Sequence, residues 1–108
     1  MQKIEIPKHR RPSNPGDVLR ELFLGEDGLN ITQGDLAARL GITRQNLNAI
    51  INGKRAVTPS MAMRLERVLG VDMQTWLNLQ MAVDIYDAQH SKEAARIAKL
   101  KPLRKHAA

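Results

Sequence analysis

No cysteine occurs among the 108 residues, so the chain forms neither a disulfide nor a thiolate metal site, and a reducing compartment is compatible with it. Aromatic residues are almost as scarce. Phe23, Trp76 and Tyr86 are the whole supply, and the core must otherwise be aliphatic. No apolar run approaches the roughly 20 residues that span a bilayer, and residues 1–15 lack the continuous apolar stretch of a secretory signal. The expected location is the cytoplasm. His9, His90 and His106 are dispersed, with no His-x-x-x-His or carboxylate–His spacing from which a zinc site is built. Ser13, Ser60 and Ser91 lie at or near helix starts, where capping is the ordinary role. No metal, cofactor or catalytic residue is expected, and the chain does not read as an enzyme.

Positive charge is plentiful but unevenly placed, with 17 Lys and Arg against 11 Asp and Glu. Residues 1–14 carry four cations and one Glu, and residues 91–108 carry six cations and one Glu. Residues 15–90 hold seven cations and nine acids. The excess belongs to two basic arms around one domain, so global basicity is weak evidence for nucleic acid. Arms of this kind are ordinarily disordered, with contact to a DNA groove or phosphates as a secondary use. Inside the domain the distribution says more. Six Lys/Arg lie from Arg39 to Arg67 with Glu66 as their one acid, whereas Asp17, Glu21, Glu26 and Asp27 make the first helical region acidic. Two faces of opposite sign are expected.

Periodicity and punctuation predict an all-α domain of five helices. The first starts after Asn14, with Pro15 at its first position, Asp17 as a capping acid, and Val18, Leu19, Leu22 and Phe23 inward. Thr32-Gln33-Gly34-Asp35 resembles a capping box and opens a second helix with Leu36, Ala37 and Leu40 inward. Thr43 caps the third, which Asn52-Gly53 ends; Thr58-Pro59 starts the fourth, with Met61, Ala62, Leu65, Val68 and Leu69 inward. Asp72 caps a fifth that runs to about His90, and "SKEAARIAKLK" can add a turn or two.

From Gln33 to Asn52 the chain reads "QGDLAARLGITRQNLNAIIN". Ala37 is small where two helices must cross, and Gly41 permits the positive φ of a tight turn. Leu36, Leu40, Ile42, Leu47 and Ile50 close the angle between the helices. This is the helix-turn-helix pattern, in which the second helix offers its N-terminal residues to base edges in the major groove. An ordinary helical hairpin explains the aliphatics equally well, but not a first turn of Arg and amides followed by Lys54-Arg55. Arg44 suits guanine O6 and N7, Gln45 suits adenine N6 and N7, Asn48 is a second base candidate, and Ala49 can meet a thymine methyl. Gln33 and Thr43 at helix N-termini suit phosphates, as do Asn46, Asn52, Lys54 and Arg55. For each amide the ordinary alternative is a solvated side chain, and for Asn52 a helix cap.

The helix-turn-helix resembles that of the phage-repressor-like (XRE) proteins. Pro15-Gly16-Asp17, Asn52-Gly53-Lys54, Thr58-Pro59-Ser60-Met61-Ala62 and Trp76-Leu77-Asn78-Leu79-Gln80 narrow the resemblance to HigA-type antitoxins of bacterial toxin–antitoxin modules, over about residues 11 to 87. It implies a lambda-repressor-like fold, a dimer on a palindromic operator at its own promoter, and capture of a small ribonuclease toxin of the RelE-like fold. A stand-alone regulator without a toxin is the alternative, and an interaction module that has lost DNA reading is a third. The acids Asp17, Glu21, Glu26 and Asp27 are candidates for a basic toxin, although acids in a first turn are ordinarily explained by the helix dipole. On the fifth helix Trp76, Leu79, Val83 and Tyr86 form one apolar lobe, and Met73, Leu77, Met81 and Ile85 a second, with Gln80 and Asp84 between. One lobe packs inward; the second is the candidate dimer surface.

Overall fold

The computed structural model describes residues 10–25 and 28–103, and its regular elements are all helical. Residues 1–9 and 104–108 of the arms, and the candidate toxin contacts Glu26 and Asp27, lie outside the described residues. Helix α1 (Pro15–Val18) runs on into a π-helical segment, Leu19–Leu24; α2 covers Gln33–Leu40, α3 Arg44–Ile51, α4 Pro59–Leu69, α5 Met73–Gln89 and α6 Lys92–Ile97. The sixth helix is the addition to the five expected. Among the described residues no helix is long and apolar enough to cross a membrane.

Side-chain caps set the helix starts. Asn14, Thr32, Thr43, Thr58 and Ser91 each accept from the amide three residues on, and Asp72 accepts from the Gln74 amide. Each such cap contributes about 1 kcal/mol. The complete capping box belongs to α1: Asn14 Oδ1 accepts from the Asp17 amide at 3.0 Å, and the Asn14 amide donates to Asp17 Oδ2 at 3.1 Å. At Thr32 the forward bond from the Asp35 amide is formed, at 3.0 Å.

The core gathers Leu19, Leu36, Leu47, Leu65 and Trp76, all fully buried, with Ala37, Ile50, Ile51 and Ala62 between them. Trp76 anchors it. Its Nε1 donates to the Val71 carbonyl at 3.1 Å, and its ring meets Phe23 at a centroid distance of 6.3 Å. Leu22, expected inward, is 59% exposed, and Leu24 packs against the core instead. The π winding explains the exchange. Bonds from i to i+5 bring Leu24 beneath Leu19 and turn i+3, which is Leu22, outward.

Helix α5 sorts its two lobes unevenly. Trp76 and Val83 are buried, with Leu79 and Tyr86 half-buried. Of the candidate dimer residues, Met73 and Leu77 are half-buried against the core, while Met81 and Ile85 are 57% and 49% exposed. Gln80 is a strut as well as a divider: its Oε1 accepts from the Val57 amide at 2.8 Å and its Nε2 donates to Asp84 at 2.9 Å. Near the far end of α5, Arg11 forms a bidentate pair with Asp87 at 2.9 and 3.0 Å. That hydrogen bonding holds the Asp87 carboxyl below its ordinary range, so the tether is complete above that range and is lost as pH falls through the lowered value.

A close backbone approach lies between α1 and the end of α3. A Cβ on Gly16 would stand 2.3 Å from the Ile51 carbonyl oxygen and 2.4 Å from that of Ile50, so a side chain there forces the helices apart. Overpacking of this kind costs about 1–3 kcal/mol. Gly16→Ala is expected to lower the unfolding free energy by that amount, seen as a lower urea midpoint at unchanged slope; an unaltered midpoint would show that the approach tolerates a methyl.

Candidate nucleic-acid interface

Three residues, Gly41, Ile42 and Thr43, join α2 to α3, and the turn is set by backbone chemistry. Gly41 adopts φ 72°, the left-handed conformation expected from sequence. Two bonds then close the corner: the Gly41 amide to Ala38 O at 3.2 Å, and the Ile42 amide to Ala37 O at 3.1 Å. From α4, Arg64 Nη1 donates to Leu40 O at 2.8 Å, completing the C-terminus of α2. Thr43 caps α3 through the Asn46 amide at 3.0 Å. Leu47, Ile50 and Ile51 are buried, whereas Arg44, Gln45 and Asn48 are exposed on the outward side of α3.

Those outward residues include the expected readers. Arg44 and Gln45 occupy the first two positions of α3, are exposed, and have no side-chain partner among the described residues. Asn48, one turn on, is exposed but engaged at both ends of its amide. Its Nδ2 donates to Gln33 Oε1 at 3.2 Å, and its Oδ1 accepts from Asn52 Nδ2 at 3.0 Å. Ala49 is half-buried beside them.

The phosphate candidates flank this patch. Gln33 stands at the first position of α2 and Thr43 at the cap of α3, both at helix N-termini where free amides favour anions. Thr43 keeps its hydroxyl on the Asn46 amide, which leaves its hydrogen available to an outside acceptor. Arg55 Nη1 donates to Asn46 Oδ1 at 2.9 Å, so the loop after α3 is tied back to its first turn. Lys54 is exposed, with its backbone amide on Ala49 O at 2.8 Å. Asn52, also exposed, is engaged by Asn48 and by Arg20, whose Nη2 lies 3.4 Å from Asn52 Oδ1. The structure thus brings Gln33, Asn48 and Asn52 together as one bonded chain, where the sequence presented three separate amides. Arg20, in the π-helical segment, carries no local signal for this contact: it is 31 residues from Ile51, whose carbonyl it also meets at 3.1 Å.

The acidic face is thinner than its composition. Asp17 is half-buried, holds the capping box, and lies 3.5 Å from Arg20 Nη1, which leaves Glu21 as the exposed acid among the described toxin candidates. Among those residues no cluster of His, Cys, Asp or Glu is arranged to hold a metal.

The helix-turn-helix family profile matches residues 26–76. A Haemophilus influenzae protein described as an uncharacterized HTH-type transcriptional regulator is 34% identical over 94 residues, covering 86% of each chain. Antitoxin HigA-1 of Vibrio cholerae is 35% identical over 91 residues, which cover 83% of this chain and 84% of that protein. Among solved structures, Pseudomonas aeruginosa antitoxin HigA with the higBA promoter superposes with a TM-score of 0.77 at 31% identity, over 87% of this chain and 100% of that one.

If the first turn of α3 reads bases, Arg44→Ala should weaken specific duplex binding by about 1–3 kcal/mol and relax preference at one base pair per half-site. Unchanged affinity and preference in a gel-shift titration would remove Arg44 from the reader.

Proposed function

The chain belongs to the helix-turn-helix family, among its HigA-type antitoxins, and we propose that it is an autoregulatory repressor that also neutralises a ribonuclease toxin. The observation that carries the DNA-binding half is the exposed pair Arg44 and Gln45 at the start of α3, without a side-chain partner among the described residues, on a capped helix set by a closed turn. Arg44 and Gln45 are free to spend their donors on bases, while Gln33, Thr43 and Lys54 surround them for phosphates. The activity is binding, with no chemical step, and it takes place in the cytoplasm where DNA and toxin are both accessible.

One α3 reads only a few base pairs. A two-fold homodimer doubles the site and separates the two readers by about 34–36 Å, one turn of the duplex. Met81 and Ile85, exposed on α5, are the apolar residues that such pairing would cover. The toxin half follows from the family. HigA-type antitoxins act on RelE-like ribonucleases, and Glu21 with Asp17 supplies negative charge on the α1 side of the domain. A regulator acting without a toxin is the second reading, favoured by the internal use of Asp17.

Two measurements test this. Selection from random duplexes should enrich a pseudo-palindrome bound by a sedimenting dimer, with affinity falling on the order of 10³-fold or more between 50 and 200 mM salt. A monomer binding that palindrome tightly, or no enrichment, would contradict the repressor. Co-purification with the product of the neighbouring gene should yield a small basic ribonuclease; its consistent absence would favour the second reading.

A further inference from the structure

A chain of hydrogen bonds crosses from the first helical region to the α2–α3 surface, and its direction is dictated at one end. Arg20 Nη2 lies 3.4 Å from Asn52 Oδ1, Asn52 Nδ2 donates to Asn48 Oδ1 at 3.0 Å, and Asn48 Nδ2 donates to Gln33 Oε1 at 3.2 Å. A carboxamide has one accepting and one donating end and can be held either way round. A guanidinium can only donate, and it does not lose its proton in a protein. With Arg20 facing Asn52, the carbonyl end of Asn52 must turn toward the cation. Asn52 then presents its NH2 to Asn48, Asn48 presents its NH2 to Gln33, and Gln33 is left with its own NH2 pointing away from the chain.

We propose that Arg20 is a positioning residue for DNA recognition, which fixes the polarity of the Asn52–Asn48–Gln33 amide chain so that Gln33 offers a donor to a phosphate and Asn48 is held in one orientation. The proposal rests on the reading of α3 as the DNA-contacting helix and adds a determinant that touches no DNA itself. Three features make Arg20 suited to this. It is anchored twice more, by Ile51 O at 3.1 Å and by Asp17 Oδ1 at 3.5 Å, so its guanidinium is aimed and not merely nearby. Its helix is pressed onto the end of α3 by the Gly16 contact, which keeps donor and acceptor in range. Finally, amides held in sequence polarise one another, so the cation at one end strengthens the donor at the other. Without Arg20 each amide can flip, and a flipped Gln33 would face a phosphate with a carbonyl oxygen.

The test is a double-mutant cycle on the full chain, using a duplex that the wild-type protein selects from a random pool. Arg20→Met is expected to lower affinity about tenfold, the loss expected of one hydrogen bond involving a charged group. In an Asn52→Ala background, where the first link is already gone, the same substitution should change affinity less than twofold. An equal loss in both backgrounds would mean that Arg20 acts through Ile51 O or on DNA directly, and would overturn the proposal. So would no loss in either. Failure of the wild-type protein to select any duplex would instead defeat the underlying reading of α3. A second measurement needs neither variant nor DNA. In the free wild-type protein, nuclear Overhauser contacts should run from the Asn52 Nδ2 protons to Asn48 and from the Asn48 Nδ2 protons to Gln33. The reverse order, or freely averaging side-chain amides, would overturn the polarity even if Arg20→Met does not fold.

Discussion

Everything the domain presents outward depends on how tightly α1 closes over the end of α3. The final carbonyls of a helix have no partner within it, and here those of Ile50 and Ile51 meet the backbone of Gly16 at a distance no side chain could share. Arg20 supplies a donor to Ile51 O, and the Gly53 amide one to Ile50 O at 3.1 Å. With its C-terminal end closed in this way, α3 has one free end, the N-terminal turn where Arg44 and Gln45 stand. The same contact that stabilises the fold therefore decides which part of α3 can reach another molecule.

Rigidity elsewhere comes from long polar side chains that reach across to backbone groups. Arg64 completes the end of α2, Glu66 accepts from the Met73 amide at 2.8 Å to begin α5, and Gln80 holds the Val57 amide in the segment between α3 and α4. Each removes a backbone group that would otherwise need water or movement, and none of them is fully buried, so the cost of desolvating charge stays small. The core beneath is almost wholly aliphatic around Trp76. That combination suits a small domain whose hydrophobic interior is limited. It also leaves the exposed pair Met81 and Ile85 as apolar area that a second copy can cover.

Local signals in the chain were legible to the degree that they concern neighbours. Asn14, Thr32, Thr43, Thr58 and Asp72 announce helix starts because a cap bonds within three residues, and Gly41 announces a turn because its φ is disallowed to most residues. The apolar spacing of Leu36, Leu40, Leu47 and Ile50 likewise located both helices of the helix-turn-helix. What could not be read were contacts spanning many residues. Arg20 with Ile51, Gln80 with Val57 and Arg64 with Leu40 join residues that no spacing rule relates. Leu22 falls inward on an α-helical period, and the π winding after Val18 breaks that period. Asn48 and Asn52 stand one turn apart, so their bond needs α3 alone, whereas its continuation to Gln33 exists only once α2 and α3 are assembled.

Dimethyl sulfate, which methylates guanine N7 in the major groove, offers the most direct view of whether the opening turn of α3 touches bases. Bound to its selected duplex, the wild-type protein should shield guanines in two symmetric patches about one helical turn apart, and Arg44→Ala should unshield one guanine in each. Shielding that survives Arg44→Ala unchanged, or a complex that leaves every guanine N7 open, would contradict the account.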